Sequence, residues 1–309
     1  MMSSYTNALV SVVIPTYNHA HFLGKALQSV MDQTYKNWEA IIIDNHSQDN
    51  TDEIIKSFKD PRITLLKIHN NGIIAASRNM GIRKAKGEWI AFLDSDDNWY
   101  PNKLQIVINE SKKTPSTDVY CNDEVLVNKI TGKRKLLMYG PYESNFYSSL
   151  LVNGNCMSPS ATVVSRSFLN DNNILFCENA EFATAEDYDF WMRLAKIGSK
   201  VKFIRSVQGE FIIHKNNNSG RIEEHTENVL NVIRYHVYAL QEFEPNKDRL
   251  WKNINARLLM ASSKNLIMKK QFLAGIRGIF NAFSDSLSGS LGYIFSRIKK
   301  VLRVNNSGL

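Results

Sequence analysis

Three cysteines in 309 residues are too few and too scattered to build a disulfide framework. Cys121, Cys156 and Cys177 are odd in number, and no Cys-x-x-Cys pair occurs, so a zinc knuckle is excluded as well. They read as reduced, partly buried thiols. Long apolar runs are also missing, since no stretch approaches the roughly 18–20 residues that span a bilayer. The opening MMSSYTNALVSVVIP lacks the basic segment and apolar core of a secretory leader, so the chain is expected in the cytoplasm. There is no G-x-x-x-x-G-K-[ST] loop and no G-x-G-x-x-G after a strand, which sets aside two common nucleotide-binding devices. No repeat of roughly 20–50 residues and no low-complexity block is present.

Acidic charge is scarce at one end. Residues 245–309 carry 12 Lys+Arg against 2 Asp+Glu, whereas residues 1–244 carry 26 against 28. The net charge of +8 therefore belongs to the tail, which is suited to an anionic surface such as phospholipid headgroups. A nucleic-acid partner is not expected, because the bulk of the chain is slightly acidic and no RNA- or DNA-binding module is recognisable.

What is present fits a globular chain of one large or two modest domains, with 43% apolar and 10% aromatic residues. The first hundred residues alternate strand and helix signals. LVSVVIP (9–15), WEAIIIDN (38–45), ITLLKI (63–68) and EWIAFLD (88–94) are short apolar runs that predict buried strands. Between them, residues 22–31, 51–58 and 73–85 carry apolar residues at helical spacing. This order predicts an α/β fold, a mostly parallel central sheet flanked by helices. Ligands of such sheets sit at the carboxyl ends of the strands. Thr16–Asn18, Asp44–Ser47 and Asp94–Asp97 all fall there.

Further along, VYCNDEVLVNKITGKRKLL reads as two strands around a Thr-Gly turn, SATVVS as a strand, and AEDYDFWMRLAKIG as a helix with acids in its first turn. VKFI and QGEFIIH read as two more strands. From residue 221 the pattern is helical. Leu291, Ile294, Phe295, Ile298, Val301 and Leu302 share one helix face, with Arg297, Lys299, Lys300 and Arg303 on the others. Phe272, Leu273, Ile276, Ile279, Phe280 and Phe283 repeat the spacing upstream. This is the signature of a helix lying in a membrane interface, or of one packed on the α/β domain with a solvated basic face. A third course for the tail is to pair two copies of the chain as a homo-oligomer.

Asp94, Asp96 and Asp97 stand at the end of a strand predicted to be buried. Like charges so close require bulk water or a cation, and a hard divalent ion takes one or two carboxylates plus substrate phosphates. The surrounding segments decide between the two. SVVIPTYNHAHFLGKALQSVMDQTYKNWEAIIIDNHSQDNTDEII, NNGIIAASRNMGIRKAKGEWIAFLDSDD and AEDYDFWMRLAKIG, taken in this order and spacing over residues 9–215, resemble the family-two glycosyltransferases.

The resemblance implies a GT-A nucleotide-diphospho-sugar transferase fold over residues 1–220, and the helical, basic pattern beyond it reads as a separate C-terminal helical, basic amphipathic region over 221–309. It implies an inverting, divalent-metal-dependent enzyme of the hexosyl- or N-acetylhexosaminyl-transferase class, using Mn²⁺ or Mg²⁺. The sugar would pass from a nucleoside-diphosphate sugar to a hydroxyl of a glycan or lipid-linked glycan acceptor, in surface polysaccharide synthesis. Pro15, Thr16, Tyr17 and Asn18 would line the nucleoside, with Asp44 and Asn45 near the base. Relatives often carry two acids where Asp44-Asn45 stands; an asparagine still offers a donor and an acceptor to a uracil edge, and UDP remains the favoured carrier.

Arg78 and Asn79 match a segment beside the nucleotide. Asp97 would ligate the metal and Asp96 would contact the sugar, the ribose or the metal, with His214 as a further ligand. Glu186 and Asp187 match the catalytic acid pair. Asp187 would be the base, held ionised by the helix N-terminus. Asn155, Ser158 and Trp191 are candidate acceptor contacts. With a lipid-linked acceptor, the tail would hold the protein peripherally on the inner face of the cell membrane. The alternative in another class is a non-catalytic nucleotide-sugar or glycan-binding protein on the same fold.

Overall fold

The computed structural model describes residues 7–215, 222–268 and 270–306, leaving aside the side chains of 222, 223 and 299–306. The side-chain expectations for Lys299, Lys300, Val301, Leu302 and Arg303, and the expected boundary at 220/221, therefore lie outside the described residues. The chain forms two compact units: Met1–Ser144 with Cys156–Val232, and Asn145–Asn155 with Ile233–Leu309.

A nine-stranded sheet organises the first unit. Strand β1 (Val10–Thr16) is buried at every position, as an apolar, β-branched run in a sheet covered on both faces should be. It pairs in parallel with β2 (Trp38–Asp44), which pairs in parallel with β3 (Ile63–Lys67). The register sets Thr16 opposite Asp44 and Asp44 opposite Lys67, so three strands end flush. On its other side β1 pairs in parallel with β4 (Trp89–Phe92). The chain thus leaves β1 in both directions, and a crevice opens where the strand order reverses.

Helix α1 (Ala20–Met31) buries Leu23, Ala26, Leu27 and Val30 at the expected spacing. Helices α2 (Thr51–Ser57) and α3 (Ile74–Lys84) complete the parallel half. On α3, Gly81 lets the helix approach the sheet. A Cβ there would lie 2.4 Å from Val13 Cγ1 and 3.0 Å from Ile43 Cδ1.

The parallel expectation describes only this half. After β5 (Asn98–Trp99) and α4 (Lys103–Lys113), the chain makes β6 (Val119–Asn128), which forms an antiparallel hairpin with β7 (Arg134–Leu137). Hairpins need only a turn, whereas parallel neighbours need a crossover. Beyond α5 (Phe146–Asn153), β8 (Thr162–Ser165) enters antiparallel between β4 and β6. After α6 (Arg166–Asp171) and α7 (Glu186–Lys196), β9 (Val201–Ile213) runs parallel to β6 and antiparallel to β5. The two strands read at VKFI and QGEFIIH are this single strand. Its partner β6 shifts register between Asn122 and Val125, and that irregularity carries pairing past the polar Arg205–Ser206 step.

Helix α8 (Ile222–Tyr235) follows. The second unit contains α5 together with α9 (Lys247–Met268), α10 (Phe272–Asp285) and α11 (Leu287–Asn306). Ala256, Met260, Ala282 and Tyr293 form its small core, with Leu259, Ala261, Ile279 and Phe283 packed against them. Among the described residues, no helix is long and apolar enough to cross a membrane.

Gly81→Ala is expected to lower stability by about 1–3 kcal/mol, because an added methyl in a filled space displaces its neighbours. Urea unfolding of the two proteins checks it.

Candidate functional site

The flush strand ends are tied together by side chains. Asp44, fully buried, accepts hydrogen bonds from the Ser47 N–H (3.1 Å) and hydroxyl and from Lys67 Nζ (2.8 Å). The bonds that Lys67 donates to Asp44, and next to Asp52, push its ammonium pKa up. The Asn45 N–H donates to the Thr16 carbonyl at 3.0 Å. Its Oδ1 accepts from the Asn70 N–H at 2.9 Å, joining the loops after β2 and β3.

Asn18, with φ of 51°, takes the left-handed conformation that asparagine tolerates. Its N–H donates to Ser47 Oγ at 2.8 Å, and its Oδ1 accepts from the Gln48 N–H at 2.7 Å. These bonds join the loop after β1 to the loop after β2. Pro15 and Thr16 are buried beneath this rim, while Tyr17 presents its ring to solvent at 52% exposure. An exposed, loop-mounted phenol is suited to lie against a base or ribose.

Arg78 is buried in α3. Nη2 donates to Asp94 Oδ1 at 2.7 Å and Nη1 donates to Glu186 Oε1. The end of β4 and the start of α7 are thereby held by one guanidinium. Burial alone would lower its pKa, but the negative charges of Asp94 and Glu186 more than offset that and raise it. Glu186 Oε2 is buried and has no hydrogen-bond partner among the described residues. Burial accordingly drives the Glu186 carboxyl up to about 7, with Arg78 opposing. Asp187, half-buried, is also pushed up by burial against the pull of Arg78. The expected effect of the helix N-terminus is thus outweighed by desolvation.

The three clustered aspartates point to three different places. Asp94 takes Arg78. Asp96 lies beside His214, with Oδ2 2.9 Å from Nε2, and the His214 ring stacks on Phe22 with centroids 4.3 Å apart. Asp97 departs from expectation. It is buried, with Oδ2 accepting from the Ser160 hydroxyl (2.6 Å) and Oδ1 from the Ile212 N–H (2.8 Å). Desolvation, with the neighbouring charges of Asp96, Glu124 and Asp94, raises its pKa well above the usual carboxylate range. A carboxyl so enclosed joins the loop after β4 to the segment before β8 and to β9, and does not face the crevice as a metal ligand.

Other expected contacts also turn inward. Asn79 Nδ2 donates to the Phe176 carbonyl (2.9 Å) and to Glu178 (2.8 Å), while its Oδ1 accepts from the Phe176 N–H. It pins the chain before α7. Trp191 is 1% exposed among Phe92, Phe176 and Phe190, so its ring faces are covered and unavailable to stack on a sugar. Ser158 is buried, and its carbonyl accepts from the Thr162 hydroxyl at 2.7 Å. Asn155 is exposed and belongs to the second unit, whereas Ser158 and Trp191 belong to the first.

One neighbour of the crevice carried no sequence signal. His19 Nδ1 lies 3.0 Å from Ser95 Oγ, and its ring meets His214 edge-on at 5.7 Å. Desolvation is the main cause that lowers its pKa. The contact spans 76 residues of sequence, so no local spacing announces it.

A divalent cation suits this arrangement on chemical grounds. Asp96 supplies an oxygen and His214 a nitrogen, a mixed set that Mn²⁺ accepts, and substrate phosphates would supply the rest. No group of three or more potential ligands occurs among the described residues.

The reversal of strand order beside β1 and the mixed sheet beyond it make this a fold of the GT-A type. The chain belongs to glycosyl transferase family 2, whose model matches residues 11–171, and it is a glycosyltransferase. It is similar to the UDP-Glc:alpha-D-GlcNAc-diphosphoundecaprenol beta-1,3-glucosyltransferase WfgD of Escherichia coli, at 37% identity over 61% of this chain and 70% of that one. Escherichia coli WfaP, of the same description, is 33% identical over 67% of this chain and 78% of its own. Staphylococcus aureus TarS, solved with UDP-GlcNAc, superimposes with a TM-score of 0.67 at 21% identity, over 91% of this chain and 81% of that one. This last likeness concerns the fold alone.

A carboxyl whose pKa is raised on folding stabilises most below its unfolded value, and that contribution is lost as pH rises through the folded one. For Glu186 the window runs from 4.5 to about 7. Glu186→Gln is expected to flatten the fall in stability across it by on the order of 2 kcal/mol. Urea unfolding of both proteins from pH 4.5 to 7 measures the difference. Arg78→Met strands both acids, and its expected cost is about 3–5 kcal/mol.

Proposed function

We propose that the protein transfers one sugar, with inversion, from a UDP-sugar to a hydroxyl of a glycan carried on a lipid diphosphate, with a divalent metal, during surface polysaccharide synthesis. The observation that carries this reading is the joining of the strand-end acids to the α7 acid pair through Arg78. The WfgD and WfaP descriptions support the donor and acceptor classes, and make UDP-glucose the first donor to test. Forming a β linkage from an α-configured nucleotide sugar takes a single displacement at the anomeric carbon, which is inversion.

In this reading Tyr17 and the rim of Asn18, Asp44 and Asn45 receive the nucleoside. Asp96 and His214 hold Mn²⁺ or Mg²⁺, which when bound neutralises the charge of the departing diphosphate. Asp187 accepts the proton of the acceptor hydroxyl as it attacks. A carboxylate with a raised pKa is the stronger base, provided it is ionised at working pH. Glu186 and Arg78 fix the first turn of α7, and with it the position of Asp187. The catalytic machinery is assigned to residues 1–220, with 221–309 as an extension. The setting is the cytoplasmic face of the membrane, where a lipid-linked acceptor presents its glycan.

The test is incubation with UDP-glucose, UDP-galactose or UDP-GlcNAc, Mn²⁺ and a synthetic GlcNAc-diphosphate lipid. A β-linked disaccharide is expected with one donor, and no transfer from any of them would refute the reading. Asp187→Asn is expected to lower kcat by about 10²–10⁴ while UDP still binds with Mn²⁺ in calorimetry. In the same titration Asp96→Ala is expected to abolish the metal-dependent part of UDP binding. Asp97→Ala is expected instead to cost roughly 1–3 kcal/mol of stability, because it leaves the Ser160 hydroxyl and the Ile212 N–H buried without their acceptor.

A further inference from the structure

The second unit leaves a large apolar surface uncovered. On α10, Phe272, Leu273, Ile276 and Phe280 are 57, 87, 61 and 72% exposed. At about 100° per residue they share an arc of about 100°. Ile279, about 20° outside that arc, and Phe283, within it near the C-terminal end of the helix, pack into the core of the unit. α10 is therefore already seated, and its outward ridge is surplus to that packing. On α11, Leu287, Leu291, Ile294, Phe295 and Ile298 are exposed, while Ser290 and Tyr293 are buried. Two consecutive helices each present an apolar ridge. Soluble monomers rarely expose contiguous apolar surface beyond a few hundred Å² without a partner for it.

Charge selects the partner. Residues 245–309 carry 12 Lys+Arg against 2 Asp+Glu, a net of +10. Lys264, Lys270, Arg277 and Arg297 are exposed on or beside the helices that bear the ridges. Pairing two copies through these faces would bring together two segments of +10 each, and like charges set against one another oppose association. An anionic lipid leaflet removes that conflict, because its headgroups neutralise the cations while its acyl boundary receives the leucines, isoleucines and phenylalanines.

We propose that the ridges of α10 and α11 dock the protein on an anionic bilayer surface, lying in the interface without crossing it. This inference rests on the second unit alone, so it stands or falls separately from the transfer reaction.

The test uses the full chain with vesicles of phosphatidylcholine alone or mixed with phosphatidylglycerol, separated by sedimentation. Binding is expected on the phosphatidylglycerol vesicles, weakening as salt is raised. Phe280→Asp and Phe295→Asp, both at exposed positions, are expected each to lower the partition coefficient by about tenfold or more. Unchanged UDP binding and thermal melting would show that the variants remain folded. Absence of wild-type binding to phosphatidylglycerol vesicles, or undiminished binding by both variants, overturns the proposal. So does a dimer in lipid-free solution that either variant breaks while vesicles go unbound, since a second copy then covers the ridges.

Discussion

The site depends on one buried cation. Arg78 sits between Asp94, at the end of the fourth strand, and Glu186, at the start of the seventh helix. Neither end is joined to the other by sequence or by the sheet ladder, so the guanidinium supplies the link. The arrangement is costly, because three ionisable groups are withdrawn from water and their attraction repays that loss only with good geometry. One oxygen of Glu186 is left unmatched, and the proton that the buried acid favours has its place there. The helix that carries Asp187 is therefore positioned by a salt bridge whose second acid is pushed up to about 7 by burial.

The remaining structure presents this centre at the edge of a rigid sheet. Thr16, Asp44 and Lys67 lie in register at the ends of three parallel strands, and Asp97 stitches the strand-end loop to the far half of the sheet. Asp97 and Asn79 show how much of a motif is spent on holding its own loop. In both, a polar side chain that looks functional from the sequence is satisfied internally, as buried polar groups require.

The parallel half of the fold was legible because apolar, β-branched runs alternate with helical spacing over nearly a hundred residues. The mixed half was less so. Whether β8 enters parallel or antiparallel depends on how its connections return the chain to the sheet, and local periodicity carries no trace of that. The aspartate cluster was legible as a group, but not in its division of labour. Asp94, Asp96 and Asp97 occupy a tight turn in which the Asp97 N–H donates to the Asp94 carbonyl, so near neighbours in sequence face an arginine, a histidine and the interior. The exposed tail ridge was visible as periodicity, but only packing shows which apolar residues of α10 remain uncovered. His19 was invisible because Ser95 and His214, which meet it at the crevice, are far from it in sequence.

The lacing of the rim has a consequence for how such an enzyme diversifies. Asn18 and Asn45 fasten three successive loops through side-chain bonds to backbone, so their positions survive changes in the residues between them. Under the proposed reading, drift in the intervening side chains would retune what the rim selects while these fastenings stay in place. A lineage built this way explores new substrates one exposed residue at a time, without first having to refold the edge that holds them.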